Sequence, residues 1–362
     1  MLNTPYSQIN SQSWIRIQAQ KDSQTLTLPD GRVLGFAEYG SPTGKPIFFF
    51  HGFPSSRLEA AGILELVNRP DLRIIAPERP GFGLSTFNPR HRVTGWPDDI
   101  RALADHLGLA RFAILGGSGG APYALACARA LPADTLSAVG LLAPAAPWTE
   151  AGEPAKSRIA ALMAYYWPAS LQSVSAGVVA LCRWLVATEF VARRIDQWVE
   201  TSQAKKEGRN AQSLALPTTT TTTNTTTTTG TVVARSTQET RAALLRSVFE
   251  TFRQGTAPLV REAQLLTWEG WGFALDEVRY DKVLIWHGTE DAQSPIRMVR
   301  DLATGLPHCE LRELEGETHF TLVKHLGRIL EELVPLEGNE GKVKVKGKWG
   351  RNNEDDMGLS KQ

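Results

Sequence analysis

Three residues spread across the 362 positions, Ser118, Asp291 and His319, have the types and the chain order that nucleophilic acyl transfer requires. A serine hydroxyl is a weak nucleophile at neutral pH. It needs a base to take its proton, and the base needs a third group to orient it and hold its charge. Ser118 lies in Gly116-Gly117-Ser118-Gly119-Gly120, which satisfies G-x-S-x-G. The apolar run Phe112 to Leu115 leads in, and a helical pattern starting near Pro122 leads out. In such a strand-to-helix turn the serine takes a strained backbone conformation that lifts its hydroxyl above the sheet. Gly116 and Gly120 let strand and helix pass closely, and the helix N-terminus favours an oxyanion. Two other uses of the glycines fail on spacing. A phosphate-cradling loop needs a lysine that does not follow, and a dinucleotide fingerprint starting at Gly117 needs glycine where Pro122 stands.

The acid comes from "VLIWHGTEDAQSP", which offers Asp291 after a strand in a turn closed by Pro295. Glu290 is the neighbouring alternative; the turn geometry expected at a strand end favours Asp291. The base comes from "ELRELEGETHFTLV", where His319 stands just before a helix. Among the seven histidines, His51 and His287 precede glycine at strand ends and read as structural. His91, His106, His308 and His325 lie in polar segments and read as surface. An oxyanion site needs two more donors. The N–H after the nucleophile, Gly119, is one, and the Phe53 N–H in His51-Gly52-Phe53-Pro54 is the other. A plain strand-ending turn is the competing reading of that tetrapeptide.

These residues need a rigid frame. "QTLTLPDGRVLGFAEYG" reads as a hairpin about Pro29-Asp30-Gly31. "KPIFFFHG", "DLRIIAPERPG", "RFAILGG", "LSAVGLLAPAAPW", "DKVLIWHG" and "CELRELEG" read as strands, and helical patterns such as "WPDDIRALADHL" (Trp96 to Leu107) separate the early ones. This alternation predicts an α/β fold: a mostly parallel central sheet with helices on both faces. Residues 149–274 differ. "KSRIAALMAYYWP", "VSAGVVALCRWLVATEFVARRIDQWVE" and "RAALLRSVFETFRQG" are helical by period, with no strand candidate between them, and predict a helical insertion. The expected organisation is a flexible segment 1–22, a core of 23–148 and 275–336, a helical cap 149–274 and a disordered tail 337–362. Within the insertion, the threonine tract Thr218 to Gly230 reads as a disordered loop over about 210–235. Aromatics such as Trp148, Tyr165, Tyr166, Trp167, Trp184 and Trp198 read as core in the first instance, with an apolar pocket wall as the alternative.

Composition narrows the partners. A formal net charge of +1 gives no field to steer a polyanion, so no nucleic acid is expected. The four lysines at 342, 344, 346 and 348 read as a solvated end. Cys127, Cys182 and Cys309 are too few and too scattered for a disulfide scaffold. No His-Glu-x-x-His or paired-cysteine spacing occurs, so no metal and no other cofactor is expected. The N-terminus has no apolar signal core, and Ser175 to Ala187 is short for a bilayer and contains Arg183. The expectation is a cytoplasmic monomer or homodimer, without a membrane span, acting on a small molecule.

"HGFP", "PERPGFGLS", "GGSGG", "HGTEDAQSP" and "GETHF", in that order between about Gln24 and Val334, resemble the α/β-hydrolase superfamily. The resemblance implies a Ser118–His319–Asp291 triad, an oxyanion hole at Phe53 and Gly119, and a cap formed by the inserted helices. Two departures are Thr318, where the family often has glycine, and Gly119, where many members carry a bulkier residue. Relatives that open epoxides or remove halides use aspartate at the elbow, so Ser118 implies acyl chemistry. Carboxylic ester hydrolysis is the favoured activity. Thioester, C–C or peptide hydrolysis, or ligand binding without catalysis, are the alternatives.

Overall fold

The structure, a computed structural model, describes residues 21–67, 69–147, 155–214, 236–267 and 269–336. Among the described residues eight strands form one sheet: β1 (Gln24–Thr27), β2 (Val33–Gly40), β3 (Lys45–Phe50), β4 (Leu72–Pro77), β5 (Phe112–Gly117), β6 (Leu136–Leu142), β7 (Val283–Gly288) and β8 (Cys309–Leu314). Their order is β1-β2-β4-β3-β5-β6-β7-β8. The β1–β2 hairpin lies antiparallel against β4, and every pairing from β4 to β8 is parallel.

The continuous apolar runs explain why these segments become central strands: successive side chains point to opposite faces, and both faces are covered. In β3, Phe48 and Phe50 enter the core beneath helices α2 (Trp96–His106), α3 (Ala121–Ala130) and α9 (Ile296–Gly305). Ile47 and Phe49 enter the opposite core, beneath α1 (Glu59–Leu66) and α10 (Leu326–Leu333). The parallel strands carry their C-terminal ends to one edge, where turns can gather residues from β3, β5, β7 and β8.

Between β6 and β7 the described residues contain helices and no strand: α4 (Ala155–Tyr166), α5 (Pro168–Ala187), α6 (Glu189–Leu214), α7 (Thr237–Glu250) and α8 (Ala257–Leu266). Helix α6 runs to Leu214, inside the segment read as a loop. The threonine tract, Trp148 and the lysine-bearing tail lie outside the described residues. Two sequence readings are corrected here. Tyr165, Tyr166, Trp167, Trp184 and Trp198 are not core, being more than half exposed, and none of them lines either cavity at Ser118. The apolar stretch at Ser175 to Ala187 is only part of α5. Pro168, favoured in a first helical turn, starts the helix earlier. Over Pro168–Ala187 its 20 residues and mean hydropathy of 1.4 meet the length and composition of a membrane-crossing helix, with none of it buried.

Two buried arginines fasten the inserted helices to the sheet. Arg57, with a fully buried side chain, bonds Glu78 after β4 and Glu250 of α7, each at 2.7 Å. Arg79 pairs with Glu262 of α8 at 2.8 Å, both side chains fully buried.

Candidate active site

Ser118 follows β5 and opens a one-turn 3₁₀ segment that leads into α3. Its φ of +47° places it in the left-handed region, which a serine adopts only when the surroundings enforce it. The enforcement is visible at Gly120. A Cβ there would stand 2.2 Å from the Phe50 carbonyl oxygen, so only glycine lets α3 start this close to the end of β3. Beyond β6, the Ala145 N–H donates to the Ser118 carbonyl at 3.0 Å.

His319 and Asp291 reach Ser118 from turns after β8 and β7. His319 Nε2 lies 3.0 Å from Ser118 Oγ, and its Nδ1 lies 2.7 Å from Asp291 Oδ2. An Nδ1–H donating to the carboxylate leaves Nε2 as the acceptor for the serine proton. The second Asp291 oxygen accepts from the Gln293 and Ser294 N–H groups at 2.8 and 2.9 Å, which fixes the carboxylate. Burial pushes the Asp291 carboxyl up, yet the His319 and Ser294 hydrogen bonds outweigh it and hold the group below its ordinary value. Glu290, the alternative acid, is exposed. Thr318, the departure before the histidine, exchanges hydrogen bonds with Thr321 and closes the turn that carries His319.

Phe53 and Gly119 are neighbours across the site. A Cβ on Gly119 would lie 2.7 Å from Phe53 Cβ and 3.3 Å from Phe53 N. The bulkier residue many relatives carry here therefore needs a different position of the Phe53 loop. Gly119→Ala is expected to lower kcat/KM by about 10- to 100-fold for any substrate attacked by Ser118, by displacing that loop on the ångström scale. A Gly119→Ala enzyme of normal kcat/KM would show the two N–H groups to be independent.

Two cavities meet at the serine. One, of about 580 Å³, is walled by Phe49, Ile63, Leu66, Phe320 and Val323, with Glu59 beside them. The other, of about 410 Å³, is walled by Ala145, Ala161, Ala263, Leu266 and Met298. Phe53, Ser118, Gln293 and His319 line both. Among the described residues no group of three or more potential metal ligands gathers.

The histidines sort differently from the sequence reading. His51 and His287 are buried and hydrogen-bonded, His287 Nε2 donating to the Ser294 carbonyl at 2.8 Å. His91, read as surface, is buried: its Nε2 contacts Tyr123 Oη at 3.1 Å, and Tyr123 donates to Glu262 at 2.7 Å. Nothing in its polar local sequence announces this, because the partners lie 32 and 171 positions on. His325 is half-buried against Glu317. Burial, with Arg261 and Arg79 nearby, pushes the His91 imidazole down to about 3, and burial likewise holds His51 well below its ordinary value. Both are neutral when folded, whereas the unfolded chain protonates them below about pH 6.5. Their contribution to stability is therefore complete above about pH 6.5 and is lost as pH falls towards the folded values. Tm is expected to decline from pH 6.5 to pH 5, and less steeply in His91→Gln. Equal slopes in the two proteins would remove His91 from the account.

The model of the alpha/beta hydrolase fold family matches residues 45–326, and the chain belongs to that family. A proline iminopeptidase of Xylella fastidiosa (strain 9a5c) is 33% identical over 120 residues, which are 32% of this chain and 37% of that protein. A proline iminopeptidase of Xanthomonas citri is 34% identical over 113 residues, 29% of this chain and 34% of that protein. The chain thus matches little more than a third of the length of these relatives. In overall structure, an esterase from Rhodococcus sp. ECU1013 superposes with a TM-score of 0.53 at 18% identity, covering 86% of this chain and 96% of that one. A bromoperoxidase from Bacillus anthracis gives 0.54 at 14% identity, covering 86% and 98%. At these identities the likeness is one of fold.

Proposed function

We propose that this chain is a serine hydrolase that cleaves carboxylic esters of small or medium apolar compounds through an acyl-enzyme. The observation that carries the reading is the continuous relay from Ser118 Oγ through His319 to Asp291. Ser118 attacks the ester carbonyl while His319 Nε2 takes its proton. Asp291 holds the resulting imidazolium, and the Phe53 and Gly119 N–H groups face the tetrahedral oxyanion. His319 then protonates the departing alkoxide. In the second half it activates water against the acyl-enzyme and returns the proton to Ser118. The apolar cavities on either side of the serine match an acyl chain and an alcohol group.

Hydrolysis of a peptide bond beside an N-terminal amine is the second reading. The similarity to proline iminopeptidases favours it, as does the Glu59 carboxylate at one cavity. Turnover of p-nitrophenyl esters of increasing chain length, compared with proline p-nitroanilide, separates the two. Ester turnover with no anilide cleavage is expected, together with labelling by a fluorophosphonate. A folded protein that neither labels nor turns over either substrate would instead bind its ligand without catalysis.

A further inference from the structure

The oxyanion loop is gripped from behind, and we propose that Arg79 is a positioning residue that sets the direction and strength of the Phe53 N–H. This rests on the hydrolase reading above. Arg79 Nη2 donates to the Gly52 carbonyl at 2.9 Å, and Nη1 donates to the His51 carbonyl at 2.5 Å. The Arg79 main-chain N–H points to His51 Nε2 at 3.4 Å, which leaves His51 Nδ1 protonated and donating to the same Gly52 carbonyl at 2.9 Å. One carbonyl thus accepts two N–H groups, one of them from a cation.

The consequence follows from amide chemistry. The Gly52 C=O and the Phe53 N–H are the two ends of a single planar, conjugated peptide unit. Fixing the oxygen fixes the direction of the hydrogen. Drawing electron density towards the oxygen makes the N–H a stronger donor. The preceding peptide is pinned in the same way: Arg79 holds its carbonyl, and Glu59 Oε2 accepts its Gly52 N–H at 2.9 Å. Arg79 and Glu59 together leave the loop little freedom.

Arg79 is in turn tied to the inserted helices. Its Nε lies 2.8 Å from Glu262 Oε1 of α8, an ion pair without aligned hydrogen-bond geometry. Tyr123 of α3 donates to the other Glu262 oxygen, and its ring centroid is 5.0 Å from the guanidinium. Helix α8 also supplies Ala263 and Leu266 to a cavity wall. A shift of α8 is therefore transmitted through Glu262 and Arg79 to the donor facing the reacting carbonyl, so that substrate packing against α8 and oxyanion stabilisation are coupled.

Arg79→Lys keeps the charge and loses the fork that reaches two carbonyls and Glu262. Glu262→Gln keeps the shape and loses the charge. In both, kcat and KM on a p-nitrophenyl ester are measured beside the Ki of an alkyl trifluoromethyl ketone, whose hemiketal oxyanion would occupy the same position. Arg79→Lys is expected to lower kcat by about tenfold or more, with KM within about threefold, and to raise Ki by the factor lost from kcat/KM. Glu262→Gln is expected to move both in the same direction by less. A folded Arg79→Lys enzyme with wild-type kcat and Ki overturns the proposal, as does a loss confined to KM. If Arg79→Lys does not fold, an unchanged kcat and Ki in Glu262→Gln overturns it alone. A wild-type protein that neither turns over esters nor binds the ketone overturns the hydrolase reading and this proposal together.

Discussion

Ser118→Ala is expected to lower ester kcat/KM by about 10⁴- to 10⁶-fold and to abolish fluorophosphonate labelling. The size follows from what is lost. Without Oγ no acyl-enzyme forms, and His319 has no proton to accept at 3.0 Å. The remaining rate comes from substrate binding and from the Phe53 and Gly119 donors acting on direct attack by water. Alanine suits the test because it occupies the same left-handed backbone at comparable strain, leaving Tm nearly unchanged. Asp291→Asn keeps shape but not charge and is expected to cost about 10⁴-fold, the low end of that range. A Ser118→Ala protein that retains wild-type ester turnover would falsify the acyl-enzyme mechanism.

Arg57→Met is expected to destabilise the protein by about 3–5 kcal/mol while leaving the reacting groups in place. Arg57 and Glu78 are both fully buried, and Arg57 is also the partner of Glu250. Methionine fills much of the volume but leaves the buried Glu78 carboxylate without its counter-ion. Glu78 also accepts from the Leu84 N–H at 2.7 Å, so it cannot withdraw. At 2–4 °C per kcal/mol for a domain of this order of size, Tm falls by about 10 °C. Adding Glu78→Gln removes the stranded charge and keeps an acceptor for Leu84, so the double variant is expected to recover part of the loss. If Arg57→Met lies within about 1 kcal/mol of wild type in urea unfolding, Arg57 is not fastening α7 to the sheet.

Much of the frame can be read from local sequence because its determinants are local. Phe48 to Phe50 and Ile114 to Leu115 are apolar on both pleat faces, which marks central strands. The turn at Ser118 could be read because glycine is required on both sides of it by close backbone approach, a steric demand that leaves a trace in composition. The sequence also points to the three turns after β5, β7 and β8, since each combines a strand end with a polar residue able to do chemistry.

The buried charges left no such trace. Arg57 in "PSSRLE", Arg79 in "PERPG" and Glu262 in "VREAQ" look like ordinary surface residues in their own segments. They become interior only because partners up to 193 positions away fold against them. His91, polar in its local sequence, becomes interior for the same reason. The extent of α5 is not legible locally because its first turns are rich in serine, and its apolar character emerges only over the whole helix from Pro168.

The left-handed backbone at residue 118 also decides which nucleophiles this turn can host. Threonine carries the same hydroxyl but is β-branched, so the strain at φ +47° excludes it on conformation rather than on reactivity. Asparagine and aspartate enter this region more readily than most residues. An exchange of serine for a carboxylate therefore leaves the turn intact, while an exchange for the chemically nearer hydroxyl does not. The route by which this elbow can change its reaction is set by a dihedral angle, and it leads from acyl to alkyl intermediates.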